Sequence, residues 1–323
     1  MREYIVAGDI LKRVDLQVPL KSALEKVSEA YRIGNVLHYR IIQMGFEDAN
    51  IVLETKKGKY VLKIFSKLKT LRKINDVVKG LVEFRKAGVP TPKLLKARGK
   101  YLLKIGKSYM CLMEFFTGKS FEGRSVSEKE LNNIVKFMAK IHGLRFKVKH
   151  NYDSWGTVNL VKEYREKKRF LREKDRKLVE PAVREFGKIN FSKFRKSIIH
   201  GDLQRHHFLK NSKGDMCIID LGCMDYNASV LDLAIFLALF FPVNSVGKCR
   251  KIYYFVLEKY NSIRKLTKEE TEAIPILIQA TYAIYLIAST YNKSPYWIEF
   301  ARKGLGVSRK LWKDGTILDS PKL

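Results

Sequence analysis

The sequence predicts an α+β chain of two lobes, the first rich in strands and the second mainly helical. Three observations carry that prediction. At 323 residues the chain is longer than one hydrophobic core usually serves. With 46% hydrophobic and 11% aromatic residues, it has apolar material for more than one core. Its apolar periodicity also changes near MEFFTG at 113–118, from short β-branched runs to long helical stripes. The expected boundaries are a helix-bearing extension over 1–35, a first lobe over 36–117 and a second lobe over 118–323.

In chain order, Leu24, Val27 and Tyr31 fall on one helical stripe, with Gly34 and Asn35 as a stop. Three strand-like segments follow, VLHYRIIQM, NIVLETKKGKYVLKIF and later YLLKIGKSYMCLMEFF. Lys57-Gly58 stands where a hairpin would turn. Between them, apolar residues at 71, 74, 78 and 81 predict a helix that stops at Gly88 before Val89-Pro90. Ser127 and Glu130 have capping-box spacing ahead of a helix whose apolar face is Leu131, Ile134, Val135, Met138 and Ile141. The basic run at 162–177 is interleaved with acids and reads as one solvated helix face.

Composition narrows the function classes. Lys and Arg number 63 against 33 Asp and Glu, a formal net charge of +30 that favours anionic partners: phosphorylated small molecules, nucleic acid or an anionic surface. The four cysteines contain no C-x-x-C pair, which fits a reducing cytoplasm. Charges interrupt residues 1–30, so no signal-peptide core is expected there. The apolar stretches 231–243 and 273–290 carry Asp232, Pro242, Pro275 and Gln279, and are expected as buried core helices rather than membrane spans.

Residues 200–209, HGDLQRHHFL, hold three of the six histidines. Thirteen residues beyond His207 comes Asp220, closing the apolar run CIID before Leu221-Gly222. An H-x-D loop, a ligand-type residue five positions on and then an Asp at a strand end form the phosphotransfer pattern of the kinase fold. The chemistry explains the spacing. One carboxylate must stand beside the attacking hydroxyl, while another, with a further ligand, holds metal on the ATP phosphates. A kinase also needs a strand-borne lysine, met by Lys63 in KYVLKIF, and a close-approaching turn upstream, met by Gly45. The acid that orients this lysine is expected on the following helix, as Asp76 or Glu83, with Asp76 preferred.

With these residues in order, the chain resembles the aminoglycoside phosphotransferase and choline kinase family of small-molecule kinases, which includes a homoserine kinase branch. The resemblance runs from about residue 24 to beyond 290 through IGNVLHYRIIQMGFEDANIVLETKKGKYVLKIF, AGVPTP, LMEFFTGKSF, MAKIHGL, HGDL and IIDLG to LDLA. It implies a protein-kinase-like fold and transfer of the ATP γ-phosphate to a hydroxyl of an amino alcohol, sugar or aminoglycoside-like acceptor. It makes Asp202 the catalytic base, Asp220 a metal ligand and Lys63 the phosphate contact. The backbone C=O of Glu114 and N–H of Phe116 would pair with adenine. His200 and Asp232 would brace the loop, and His142 would be a satisfied core histidine.

Two departures stand out: His207 occupies the usual asparagine position, and the first-lobe acid is Asp or displaced where Glu is usual. With His207 as a ligand beside Asp220, Mg2+ or Mn2+ is the expected metal. Only eleven residues separate Asp220 from Asp232, too few for a peptide-docking activation segment, and a small acceptor is expected instead. A cationic acceptor would need a local acidic cluster, for which Asp225 is the candidate. The alternatives are a metal-dependent hydrolase using His200, Asp202, His207 and Asp220, and a degenerate kinase scaffold that binds nucleic acid.

Overall fold

The computed structural model describes residues 7–43, 47–150, 152–240 and 246–313. They fall into two compact units: one of Met1–Lys86, Pro90–Lys119 and Leu209–Ile219, the other of Ala87–Val89, Ser120–Phe208 and Asp220–Leu323.

The first unit opens with helices α1 (Ala7–Val14) and α2 (Leu20–Tyr31). Strands β1 (Val36–Ile42), β2 (Ala49–Thr55) and β3 (Gly58–Ile64) follow, then α3 (Leu71–Lys86), β4 (Leu102–Ile105) and β5 (Ser108–Glu114). The strands form one antiparallel sheet in the order β1-β2-β3-β5-β4. Strand alternation sorts its side chains. Ile51, Leu53, Leu62, Ile64, Met110 and Leu112 join one core with Ile10, Val14, Leu24, Val27 and Tyr31 of the two helices. Lys63, between Leu62 and Ile64, therefore belongs to the opposite sheet face. The segment YLLKIGKSYMCLMEFF is a hairpin, β4 to β5, turned at Gly106 with φ +57.

In the second unit, Ser127 and Glu130 form the capping box that starts α4 (Glu128–His142). The basic run at 162–177 is not one solvated helix but the end of α5 (Leu160–Lys167), a 3-10 turn at Lys168–Phe170 and the start of α6 (Glu173–Phe186). Burial is the reason. Glu163 and Asp175 are buried within it and need partners: Lys167 and Tyr152 for the first, and Arg302 in two 2.8 Å bonds for the second. Beyond the short β6 (Lys119–Ser120) lie β7 (Lys196–Ile199), β8 (Phe208–Lys210), β9 (Met216–Ile218) and β10 (Asp225–Ala228). The chain ends in α7 (Ser229–Leu239), α8 (Val246–Ile263), α9 (Lys268–Tyr291) and α10 (Pro295–Lys313). Every residue of α7 is buried. Helix α9 is long and apolar enough to cross a membrane, but 89% of its apolar window is buried inside the structure, as for a core helix. Phe241–Val243, the end of the first apolar stretch, lie outside the described residues.

Candidate active site

Strand β7 pairs antiparallel with β10, with Ile199 opposite Asp225. The loops that follow Ile199 and precede Asp225 therefore leave the same end of this ribbon. They touch at Gly201. Its φ is +80, and a Cβ there would lie 2.3 Å from the carbonyl oxygen of Cys223, so only glycine fits. Asp232, in the first turn of α7, pins the loop by accepting the N–H groups of His200 and Gly201, each at 2.8 Å. Burial opposes ionisation of Asp232, but the bonds from His142 and the His200 backbone outweigh it and hold the carboxyl below its ordinary range. Since a carboxylate only accepts, His142 Nε2–H donates to Asp232 at 3.2 Å, and its Nδ1 lies 2.7 Å from the Tyr260 hydroxyl. Complete burial holds the His200 imidazole below its ordinary value, hence neutral near pH 7.

This frame presents Asp202. Its Oδ1 accepts from Gln204 Nε2 and from Tyr285 OH. Burial and the neighbouring Asp202 charge push the Tyr285 hydroxyl far up, so it keeps the proton it donates. His207 Nδ1 lies 2.7 Å from the backbone oxygen of Asp202, which can only accept. In the neutral ring Nδ1 therefore carries the proton, and the Nε2 lone pair is left 3.9 Å from Asp220 Oδ2. Asp220 adopts a left-handed backbone, φ 65, steadied by its own Oδ1 accepting from Gly222 N at 3.2 Å. Its side chain is 43% exposed against 8% for His207. One carboxylate oxygen and one imidazole nitrogen are donors that a divalent ion accepts. The hydrolase cage expected as an alternative does not form: among the described residues no three His, Cys, Asp or Glu groups are placed to hold a metal. Fully buried His200 instead lies 3.3 Å from the Asp202 N–H through Nδ1.

In the first unit, Lys63 meets a carboxylate that its helix-based assignment missed. Asp48, just before β2, lies 2.9 Å from Lys63 Nζ, while Glu83 pairs with Lys86 and Asp76 is half-buried on α3. Asp48 also takes Lys69 Nζ at 2.7 Å and the Ser66 N–H at 2.9 Å. Burial works against its ionisation, yet the two ammonium groups prevail and hold its carboxyl below the ordinary range. The physical reason for the difference is register: Asn50 lies opposite Lys63, so the start of β2 reaches the lysine directly. Gly45 lies outside the described residues. Glu114 ends β5, bonded through N–H to Lys93 O at 2.9 Å and through its carboxylate to Lys93 Nζ at 2.8 Å. Phe116 follows outside any strand or helix, and a Cβ on Gly118 would meet its ring at 2.5 Å.

Sequence reasoning did not single out Asp48, Gln204 or Tyr285. The last was one of two tyrosines in the apolar stretch 273–290; Asp48 and Gln204 carried no local signal.

Comparison with known proteins adds a family. A family model described as the phosphotransferase enzyme family matches residues 38–261. A homoserine kinase of Rhizobium meliloti is 23% identical over 273 residues, covering 81% of this chain and 82% of that protein. One of Parvibaculum lavamentivorans is 25% identical over 289 residues, covering 83% and 85%. Among solved structures, the amicoumacin kinase hAmiN in complex with AMP-PNP, Ca2+ and Ami superposes with a TM-score of 0.71 at 15% identity, over 94% of this chain and 96% of that one. The choline kinase LicA from Streptococcus pneumoniae gives 0.63 at 16% identity, over 90% and 98%. The shared fold is the protein-kinase-like fold of small-molecule kinases.

Proposed function

The chain belongs to the phosphotransferase enzyme family, and from that premise we propose that it moves the γ-phosphate of ATP to a hydroxyl of a small molecule. The observation that carries this reading is the grouping of Asp202, His207 and Asp220 around one loop, with Asp202 Oδ1 held by Gln204 and Tyr285. Asp202 takes the proton of the acceptor hydroxyl as that oxygen bonds to the γ-phosphorus. The bond from phosphorus to the β–γ bridging oxygen breaks, and ADP leaves with the electron pair. Asp220 and His207 would hold Mg2+ or Mn2+, which would offset phosphate charge. Lys63 contacts phosphate with Asp48 orienting its ammonium group, and Glu114 C=O and Phe116 N–H receive adenine.

The acceptor class rests on the homoserine kinase relatives and the amicoumacin and choline kinase neighbours, all of which act on small molecules. An amino alcohol, sugar or aminoglycoside-like hydroxyl compound fits that range. Cytoplasmic placement is supported by four cysteines that form no disulfide among the described residues, with burial pushing the thiols of Cys111 and Cys217 up to about 12.

The test is ATP consumption screened across amino alcohols, sugars, nucleosides and aminoglycosides, repeated with Asp202→Asn. The variant should lose about two or more orders of magnitude in acceptor-dependent turnover while binding ATP nearly as before. Turnover close to wild type would remove Asp202 from the chemistry.

A further inference from the structure

We propose that Lys69 is a second phosphate-binding lysine, which holds the terminal phosphoryl group of the nucleotide and so sets a preference for a triphosphate over a diphosphate. The assignment rests on the ATP reading for its ligand and on the geometry of the first unit for the contact.

Asp48 Oδ2 serves two ammonium groups, Lys63 Nζ at 2.9 Å and Lys69 Nζ at 2.7 Å, so the two cations lie within about 6 Å of each other. The side chains of Lys63, Lys69 and Asp48 are 7%, 8% and 4% exposed. Like charges so close repel, and a ligand with neighbouring anionic groups relieves that repulsion. Lys69 has a second acid, Glu47, at 2.8 Å, but this side chain is 63% exposed. An ion pair with so exposed a partner contributes little and is readily exchanged. Lys69 keeps its charge: burial works against it, but Asp48 outweighs burial and holds the ammonium above its ordinary value. The remaining N–H donor of this ammonium meets no group among the described residues. A phosphate oxygen can take that donor, or the place of Glu47, without disturbing Asp48.

The turn that carries Lys69 is fixed on several sides. Ser66 N–H donates to Asp48 Oδ1 at 2.9 Å, Lys69 N–H to Ser66 O at 3.0 Å, and Lys67 N–H to the carbonyl of Arg13 in α1 at 3.0 Å. Strand register orders the contacts along the ligand. Glu114, the proposed adenine partner, stands opposite Tyr60 near the start of β3, and Lys63 lies roughly 10 Å farther along the same strand. Asp48 immediately precedes Ala49, which pairs with Ile64 at the far end of β3, and Lys69 meets Asp48 there. On this line the phosphoryl group beyond the one that Lys63 holds is the one that reaches Lys69.

The experiment is calorimetric titration of AMP-PNP, ADP and AMP into the full chain with Mg2+ present. Wild type should bind AMP-PNP more tightly than ADP. Lys69→Met should weaken AMP-PNP about tenfold or more and ADP about twofold or less, with AMP unchanged, whereas Lys63→Met should weaken AMP-PNP and ADP alike. Lys69→Arg keeps a cation and should retain most of the preference. Glu47→Gln removes the exposed anion that the phosphate displaces, and should tighten AMP-PNP about threefold with ADP unchanged. Urea midpoints establish that each variant is folded; should Lys69→Met not fold, Glu47→Gln decides. Equal weakening of AMP-PNP and ADP by Lys69→Met would mean that Lys69 only steadies Asp48. Unchanged AMP-PNP affinity in Glu47→Gln would mean that no phosphate takes its place. Either result overturns the proposal while the ATP reading stands. Wild type that binds none of the three nucleotides removes the ATP reading, and this assignment with it.

Discussion

His207 donates its Nδ1 proton to the backbone carbonyl of Asp202 at 2.7 Å, and this one bond decides which nitrogen faces Asp220. A neutral imidazole nitrogen then stands where an amide oxygen is usual. Magnesium prefers oxygen donors, whereas manganese accepts imidazole more readily. The enzyme should work with magnesium but favour manganese, and His207→Asn should shift the preference back toward magnesium. The manganese-to-magnesium ratio of turnover measures this; an identical ratio in both proteins would exclude His207 from the metal.

Asp48 bridges two buried lysines, so its removal takes away the carboxylate that Lys63 and Lys69 share, while Lys69 keeps Glu47 at 2.8 Å. Asp48→Asn should lower unfolding free energy by about 3 kcal/mol. Adding Lys63→Met should recover part of that loss, because one of the two neighbouring buried ammonium groups is gone. Urea midpoints of the two single variants and the double variant test the coupling, and strict additivity would deny it. Lys63→Met alone should weaken ATP binding about tenfold or more, measured by calorimetry.

Gly201→Ala should fold less stably and lose turnover together. The added Cβ would meet the Cys223 carbonyl at 2.3 Å in a backbone with φ +80, so the loop carrying Asp202 must move. Since displacements of about 1 Å can cost roughly 100-fold in rate, kcat should fall by at least tenfold while ATP affinity changes little. A variant with wild-type kcat would show that the loop tolerates the shift.

His200 is buried and its folded-state value is depressed, so the unfolded chain takes up a proton that the folded chain refuses. Its contribution to stability is complete above its ordinary value of 6.5 and is lost as pH falls below it. The depressed Asp48 and Asp232 add a second loss as pH falls below the ordinary 3.8. Urea midpoints should drop between about pH 7.5 and pH 5.5. The Cε1–Hε1 resonance of His200 should show no titration near 6.5, and a titration there would refute the assignment.

The strands of the first unit, the hairpin at Lys57-Gly58 and the Ser127–Glu130 cap were legible because each depends on neighbours a few residues away. Periodicity, turn chemistry and motif spacing are local, and so is the information that encodes them. The basic run at 162–177 misled for the complementary reason: nothing local shows that Glu163 and Asp175 are buried.

The sequence by itself thus determined the lobes, the strand carrying Lys63 and the loop carrying Asp202. Tertiary structure alone decided which groups complete them. Tyr285 reaches Asp202 across 83 residues and Asp232 reaches His200 across 32, distances that only the packing of α9 and α7 brings to hydrogen-bond length. Lys63 pairs with Asp48, just before β2, because sheet register, a property of paired strands, sets Asn50 opposite the lysine. Asp225 was legible as an acid. That one of its oxygens is buried without a donor beside a small cavity emerges only once β10 has paired with β7, since burial belongs to the fold and not to the residue.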